Sequence, residues 1–206
     1  MDKARIAVMV SGGGTNLQAL IDAQISGIIK SGEIVLVLSN SHTAFALERA
    51  QKAGIKTFSV TKKECGSQEE FEKALIDELV KDKIDLIILA GFLSILSKDF
   101  TDRFAKRIIN IHPSLIPSFC GEGYYGLKVH QAALEKGVKV TGATVHYVNE
   151  IPDGGEIILQ KAVYIRKTDT PETLQRRVME QAEWKILPAA AEICSKKIIE
   201  DKENKK

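Results

Sequence analysis

The chain has only three cysteines in 206 residues: Cys65, Cys120 and Cys194, far apart and in no CxxC spacing. An odd, scattered set of this kind gives neither a disulfide framework nor a zinc cage. Charge of one sign is also missing. The 29 basic residues against 27 acidic ones leave a net charge of +2, which removes the electrostatic case for a nucleic-acid or membrane-surface binder. Part of that excess lies in Lys202 to Lys206, so 197–206 reads as a charged, frayed tail. No apolar run reaches the roughly 20 residues of a membrane span. Met1 to Arg5 lacks the apolar core of a signal peptide and leads directly into a strand. These absences predict a cytoplasmic setting. There is no repeat, no low-complexity linker and no shift in composition, so the expectation is one domain over 1–196. Its apolar fraction of 44% is enough for a substantial core.

Strand and helix patterns alternate along the first half. Arg5–Val10 is a short β-branched run, followed by the turn Ser11-Gly12-Gly13-Gly14 and a helix opened by Thr15 or Asn16 with Leu17, Leu20 and Ile21 on one face. Further strands are expected at Glu33–Ser39, Lys56–Val60, Ile84–Ala90 and Lys106–Ile111. Helices are expected at Thr43–Ala53, stopped by Gly54, at Ser67–Lys81 with Phe71, Leu75 and Leu79 inward, and at Ser97–Phe104. Gly91–Leu96 reads as an apolar loop. Ile84–Ala90 is apolar on both faces, as a central parallel strand must be. A helix at Leu127–Lys136 precedes two longer strands, Lys139–Val148 and Glu156–Ile165, which the turn Asp153-Gly154-Gly155 joins as a hairpin. Thr170–Lys196 is a closing helix, with Pro188 as its expected break. The fold class is therefore α/β: a doubly wound, mostly parallel sheet with a C-terminal antiparallel hairpin and a closing helix.

Two segments carry chemistry. The glycine loop sits at a strand-to-helix junction, where inward-pointing amides and the helix N-terminus suit an anion. No Gly-Lys-Ser/Thr follows, and Leu17 stands where a dinucleotide fingerprint needs its third glycine. The loop reads as a cradle for a single phosphate, against the alternative of a plain tight turn. The second segment is Asn110-Ile111-His112-Pro113-Ser114-Leu115. Two positions apart on a strand, Asn110 and His112 share one face. Asn donates to a developing oxyanion, His moves a proton near neutral pH, and an acid such as Asp153 orients the imidazole and favours its charge. Together these roles fit acyl transfer. His42, His130 and His146 are better explained without chemistry: His42 as a surface or capping residue, His130 as exposed, and His146 as a strand residue within reach of the same cleft. No cluster has metal-ligand spacing.

The chain resembles the phosphoribosylglycinamide formyltransferase family of the folate-dependent formyltransferases. The resemblance is carried by Ser11 to Leu20, Leu89 to Ser97, Asn110 to Pro117, Thr141 to His146, and Asp153-Gly154-Gly155, within a match from about Arg5 to Ala191. It implies that Gly14, Thr15 and Asn16 hold the phosphate of glycinamide ribonucleotide. Leu93, Ser94, Ile95 and Leu96, with Gln68, Asn110, Asn149, Glu150 and Ile151, would hold 10-formyltetrahydrofolate as co-substrate. Asn110, His112 and Asp153 would be catalytic, and Glu183 would face the substrate's amine end. No metal is implied. The partners implied are small molecules, with no nucleic acid and no membrane, and the assembly is a monomer or a homodimer. The chain departs from the family at Ser94 and Gln68, where members often carry Arg, and in its longer, more aromatic loop Cys120–Gly126. Pro152 and Glu156 are also atypical, and the spacing from Arg177 to Glu183 is one residue longer than the family's. Rival readings are another folate formyltransferase, a formylfolate hydrolase, or a nucleotide-binding module without catalysis. The first two are expected to add a C-terminal or an N-terminal domain.

Overall fold

The computed structural model describes residues 3–204. The β-branched runs form the strands β1 (Ala4–Val10), β2 (Gly32–Ser39), β3 (Lys56–Ser59), β4 (Leu86–Leu89) and β5 (Ile108–His112). All five are parallel, and β6 (Val140–Tyr147) and β7 (Ile157–Tyr164) close the sheet antiparallel, in the order β3-β2-β1-β4-β5-β6-β7. Alternation along β1 explains the two-sided burial. Ile6, Val8 and Val10 join a core under α1 (Thr15–Ile25), α2 (Phe45–Lys52) and the C-terminal helices. Ala7 and Met9 join a second core on the other face, where α4 (Gln68–Lys81) contributes Phe71, Leu75 and Leu79 and α5 (Lys98–Arg103) contributes Phe100. Each of these large side chains is fully buried or nearly so, and such burial stabilises by about 2–3 kcal/mol per side chain. The expected doubly wound, mostly parallel sheet with an antiparallel C-terminal ribbon is the observed architecture.

Where expectation and structure differ, the reasons are local. A short helix, α3 (Lys62–Cys65), precedes α4 and is closed by a Thr61–Glu64 capping box. The α2 helix begins at Phe45 rather than Thr43. β6 and β7 pair as expected, but residues 148–156 join them as a longer loop, and β6 carries a register shift at Val145/His146. After α6 (Leu127–Lys136) and α7 (Pro171–Val178) comes a π-turn at Met179–Glu183, then α8 (Trp184–Glu203). The break in the closing helix is therefore that π-turn, and Pro188 lies inside α8. The wide turn falls just before the proline, whose ring disturbs the preceding turn. The helix also runs past Lys196 to Glu203, and Lys202, read as part of a solvated end, pairs with Asp85 at 2.7 Å. Among the described residues no helix is long and apolar enough to cross a membrane.

Candidate active site

The chain winds β1, β2, β3 to one side of the sheet and returns to place β4 on the other side of β1. Ligand sites in open α/β sheets form at such a reversal, beyond the carboxyl ends of the strands. The loop after β1 and the loop after β4 meet there. Ser11 N donates to Gly91 O at 3.1 Å, and Leu93 N donates to Ser11 Oγ at 2.8 Å. Gly14 caps α1 with φ 71°, and a Cβ there would lie 2.6 Å from Ala46 Cβ, so the turn needs glycine twice over. The first turn of α1 has no side-chain cap and no acid, which leaves its amides and dipole free for an anion. Thr15 is exposed there, its hydroxyl 3.7 Å from Met179 Sδ. Asn16 Nδ2 donates to Glu183 Oε2 at 2.7 Å, while Asn16 Oδ1 is buried without a partner. Burial pushes the Glu183 carboxyl up to about 7, against the opposing pull of the Asn16 amide.

The second region is a cleft of two adjoining cavities. The smaller, ≈ 140 Å³, is walled by Leu89, Phe92, Leu96, Val148, Ile151 and Pro152, with Ser94, Ile95, Asn110, Asn149, Glu150 and Asp153 also on its lining. The larger, ≈ 670 Å³, runs from Leu93 past His112 to Tyr124, Tyr125 and Lys128. Apolar walls with a few convergent polar groups, at this size, suit a small organic ligand. Gly14, Thr15 and Asn16 do not line these two cavities; their link to the cleft is the Ser11–Leu93 bond. Gln68 spends its amide on Glu72 Oε1 at 2.7 Å and on Ile95 O at 3.2 Å. Ser94 Oγ accepts from Asn40 Nδ2 at 2.8 Å.

At the cleft the polar side chains converge as the strand spacing requires. His112 Nδ1 lies 3.3 Å from Asp153 Oδ2, and Asn110 Nδ2 lies 3.5 Å from Asp153 Oδ1. Asp153 is reached through a strained loop: its φ is 56°, a left-handed conformation tolerated best by Asn and Asp. Nearby, a Cβ on Gly155 would collide with Tyr147 O, so the chain can double back here only at a glycine. The other neighbours of His112 fix its protons. Its Nε2 is 2.9 Å from Phe119 O, and a carbonyl only accepts. With an acceptor at each ring nitrogen, the contacts are satisfied fully by the imidazolium alone. Burial disfavours that cation and sets its pKa below the usual histidine value, while Asp153 and the Phe119 carbonyl oppose the loss. For Asp153, burial opposes the charge, but His146, His112 and the Gly121 amide together outweigh it and hold the carboxyl below its ordinary value. Gly121 N donates to Asp153 Oδ2 at 2.8 Å. The loop 119–121 thus covers both members of the pair.

His146 reaches the cleft as its place on the strand led one to expect, whereas His130 departs from its sequence reading. His146 is 2% exposed and stands beside the cluster, Nε2 at 3.2 Å from Asn110 Nδ2 and 3.4 Å from Asp153 Oδ1. Its Nδ1 donates to Tyr147 O at 2.8 Å, which holds the ring with Nε2 turned toward Asn110 and Asp153. The one sequence signal was its alternation with Thr144 on β6. His130, expected to be exposed, is fully buried on α6, and neither ring nitrogen has a partner. Burial, with a smaller push from His112, takes its pKa down to about 4. His42 is at the surface, bonded to Ser59 Oγ at 2.7 Å and Glu64 Oε1 at 2.8 Å rather than capping α2.

Comparison with known proteins places this geometry. A family profile described as formyl transferase matches residues 4–191. The phosphoribosylglycinamide formyltransferase of Haemophilus influenzae is 45% identical over 184 residues, 89% of this chain and 84% of that protein. The human trifunctional purine biosynthetic protein adenosine-3 is 44% identical over 99% of this chain, which spans only 20% of that protein's length. Among solved structures, glycinamide ribonucleotide transformylase 1 from Symbiobacterium toebii superposes with a TM-score of 0.88 at 40% identity, covering 94% of this chain and 88% of that one. On this fold and these relatives, the chain belongs to the formyl transferase family, within its phosphoribosylglycinamide formyltransferase group.

Proposed function

We propose that this chain moves a formyl group from 10-formyltetrahydrofolate to the primary amine of glycinamide ribonucleotide, in purine biosynthesis. The observation that carries the reading is the convergence of Asn110, His112 and Asp153 on the cleft, with His112 Nδ1 3.3 Å from Asp153 Oδ2. The apolar walls at Phe92, Leu96, Val148 and Ile151 suit the flat ring of the donor, with Leu93, Ser94, Ile95, Asn149 and Glu150 along its edge. Gly14, Thr15 and Asn16 take the phosphate of the acceptor, and Glu183 reaches its amine end. Residues 1–196 act as one formyltransferase domain.

In this reading the amine nitrogen bonds to the formyl carbon, and that carbon's bond to the donor nitrogen breaks. The proton lost by the amine is the one the donor nitrogen gains. Between these events the formyl oxygen carries negative charge. Asn110, once the oxygen takes over the N–H now aimed at Asp153 Oδ1, and the His112 ring face that charge, and one such donor lowers a barrier by about 3 kcal/mol. Asp153 turns the ring and favours its charged form against the pull of burial. His112 reaches a substrate oxygen with Nε2 once that oxygen displaces the Phe119 carbonyl. The rest of the acceleration comes from holding the reactants side by side.

The test is the absorbance change of formylfolate with and without glycinamide ribonucleotide. Consumption only when the amine is present is the expected result. Consumption without it marks a hydrolase, and nucleotide binding with no consumption marks a non-catalytic module.

A further inference from the structure

Glu72 is a buried acid outside the cluster that performs the chemistry. It follows Phe71 on α4, is 6% exposed, and has no Lys or Arg paired with it among the described residues. Burying a carboxylate is costly unless donors surround it. Its donors come from two directions. Ser97 donates twice, through N to Oε1 at 2.7 Å and through Oγ to Oε2, and Gln68 Nε2 donates to Oε1 at 2.7 Å. Neither donor ends there. Ser97 Oγ also caps α5 by accepting from Phe100 N at 3.2 Å, and Gln68 Nε2 reaches Ile95 O at 3.2 Å. One carboxylate therefore ties down both ends of the segment 95–97.

That segment cannot hold its shape by packing alone. Ile95 is 69% exposed and Leu93 is 64% exposed, and only Leu96 is buried. Yet Ser94, Ile95 and Leu96 form one wall of the smaller cavity. A wall of exposed side chains on irregular backbone keeps its geometry through polar ties. We infer that Glu72 is a positioning residue for the donor-binding wall: through Ser97 and Gln68 it holds 94–97 in the shape the formyl donor meets. This rests on the reading that the donor binds along 93–96. It also gives Gln68, which replaces the Arg frequent in the family, a task inside the protein.

The test is steady-state kinetics on the full chain, with titration of 10-formyltetrahydrofolate as the binding probe. In Glu72→Ala, KM and Kd for the donor rise about ten-fold, because the loop must then be ordered on binding. Saturated kcat and the KM for glycinamide ribonucleotide stay within about two-fold. Glu72→Gln recovers donor binding: its oxygen still accepts from Ser97 N and Gln68, and its amide donates to the Ser97 hydroxyl. An unchanged donor KM in Glu72→Ala, an equal rise in both KM values, or a Glu72→Gln as weak as the alanine variant overturns the inference. Should melting show that Glu72→Ala does not fold, Ser97→Ala decides. It removes one tie and is expected to raise the donor KM about three-fold with the acceptor KM unmoved; no rise overturns the inference. A wild-type chain that does not bind the donor removes the functional reading and this one with it. A wild type that binds, beside variants that bind equally, removes only the role of Glu72.

Discussion

Two largely buried carboxyls in this molecule are shifted in opposite directions. Glu183, on the wide turn before α8, has one hydrogen-bond partner, the neutral Asn16 amide, and burial carries its pKa up to about 7. Asp153, across the sheet edge, meets His112, His146 and the Gly121 amide, and stays below the ordinary aspartate value despite burial. Burial pulls the two the same way. What separates them is the set of donors each meets: one amide for Glu183, two imidazoles and a backbone N–H for Asp153. Beside the glycine loop stands a carboxyl whose pKa is raised, and beside the imidazoles one whose pKa is lowered, and neither forms an ion pair with a lysine or arginine among the described residues.

The contrast can be broken chemically at its charged end. Asp153→Asn and His112→Ala are each expected to lower kcat/KM for formyl transfer by about a thousand-fold or more, by analogy with the loss of an orienting acid or a base from a catalytic set. Circular dichroism of both variants is expected to remain native. Near wild-type turnover in either one would refute the assigned roles.

The other end is tested by stability against pH. A carboxyl whose folded pKa is raised gives stability that is complete below its unfolded pKa and is lost as pH rises through the folded value. The Glu183 contribution is therefore expected to fall between pH 4.5 and about 7, by on the order of 3 kcal/mol. Glu183→Gln keeps the bond to Asn16 but does not titrate, so the stability difference between wild type and Glu183→Gln, read by denaturant unfolding, is expected to change by that amount across the window, in favour of the variant as pH rises. His130 sharpens the comparison with a smaller effect of opposite sign. Its folded pKa is depressed to about 4, so the unfolded chain takes up the proton first and stability falls as pH drops below the usual histidine value. His130→Phe is expected to remove that loss, about 2 kcal/mol at pH 5, and the unpartnered ring nitrogens make the replacement cheap. Equal acid sensitivity in wild type and His130→Phe would show that the ring is already wetted.

Much of this was legible in the sequence wherever one physical signal dominated. Apolar runs such as 84–90 marked the buried strands, because a parallel strand must be apolar on both faces. The Asn110–His112 spacing gave the shared face, and position at a strand end gave the cleft. Legibility failed where long-range register decides. For His146 the alternation along β6 gave only its nearness to the cleft, and its contact with Asp153 follows from how β6 pairs with β5; His130 is buried because of what α6 packs against, which leaves no mark on its neighbours in sequence. The Phe119 carbonyl on His112 is backbone, for which residue type carries no signal. Glu72 looked like any acid on an exposed helical face until Ser97 was folded onto it.

The π-turn at Met179–Glu183 has one more implication. A single inserted residue normally swings everything downstream about 100° around a helix axis, which here would turn Ile186, Leu187 and Ala190 out of the core they occupy. By bulging locally, the backbone confines the lengthening to one turn and leaves both flanking stretches seated against the sheet. The closing helix can thus accept an indel at the very place where it brings Glu183 to Asn16.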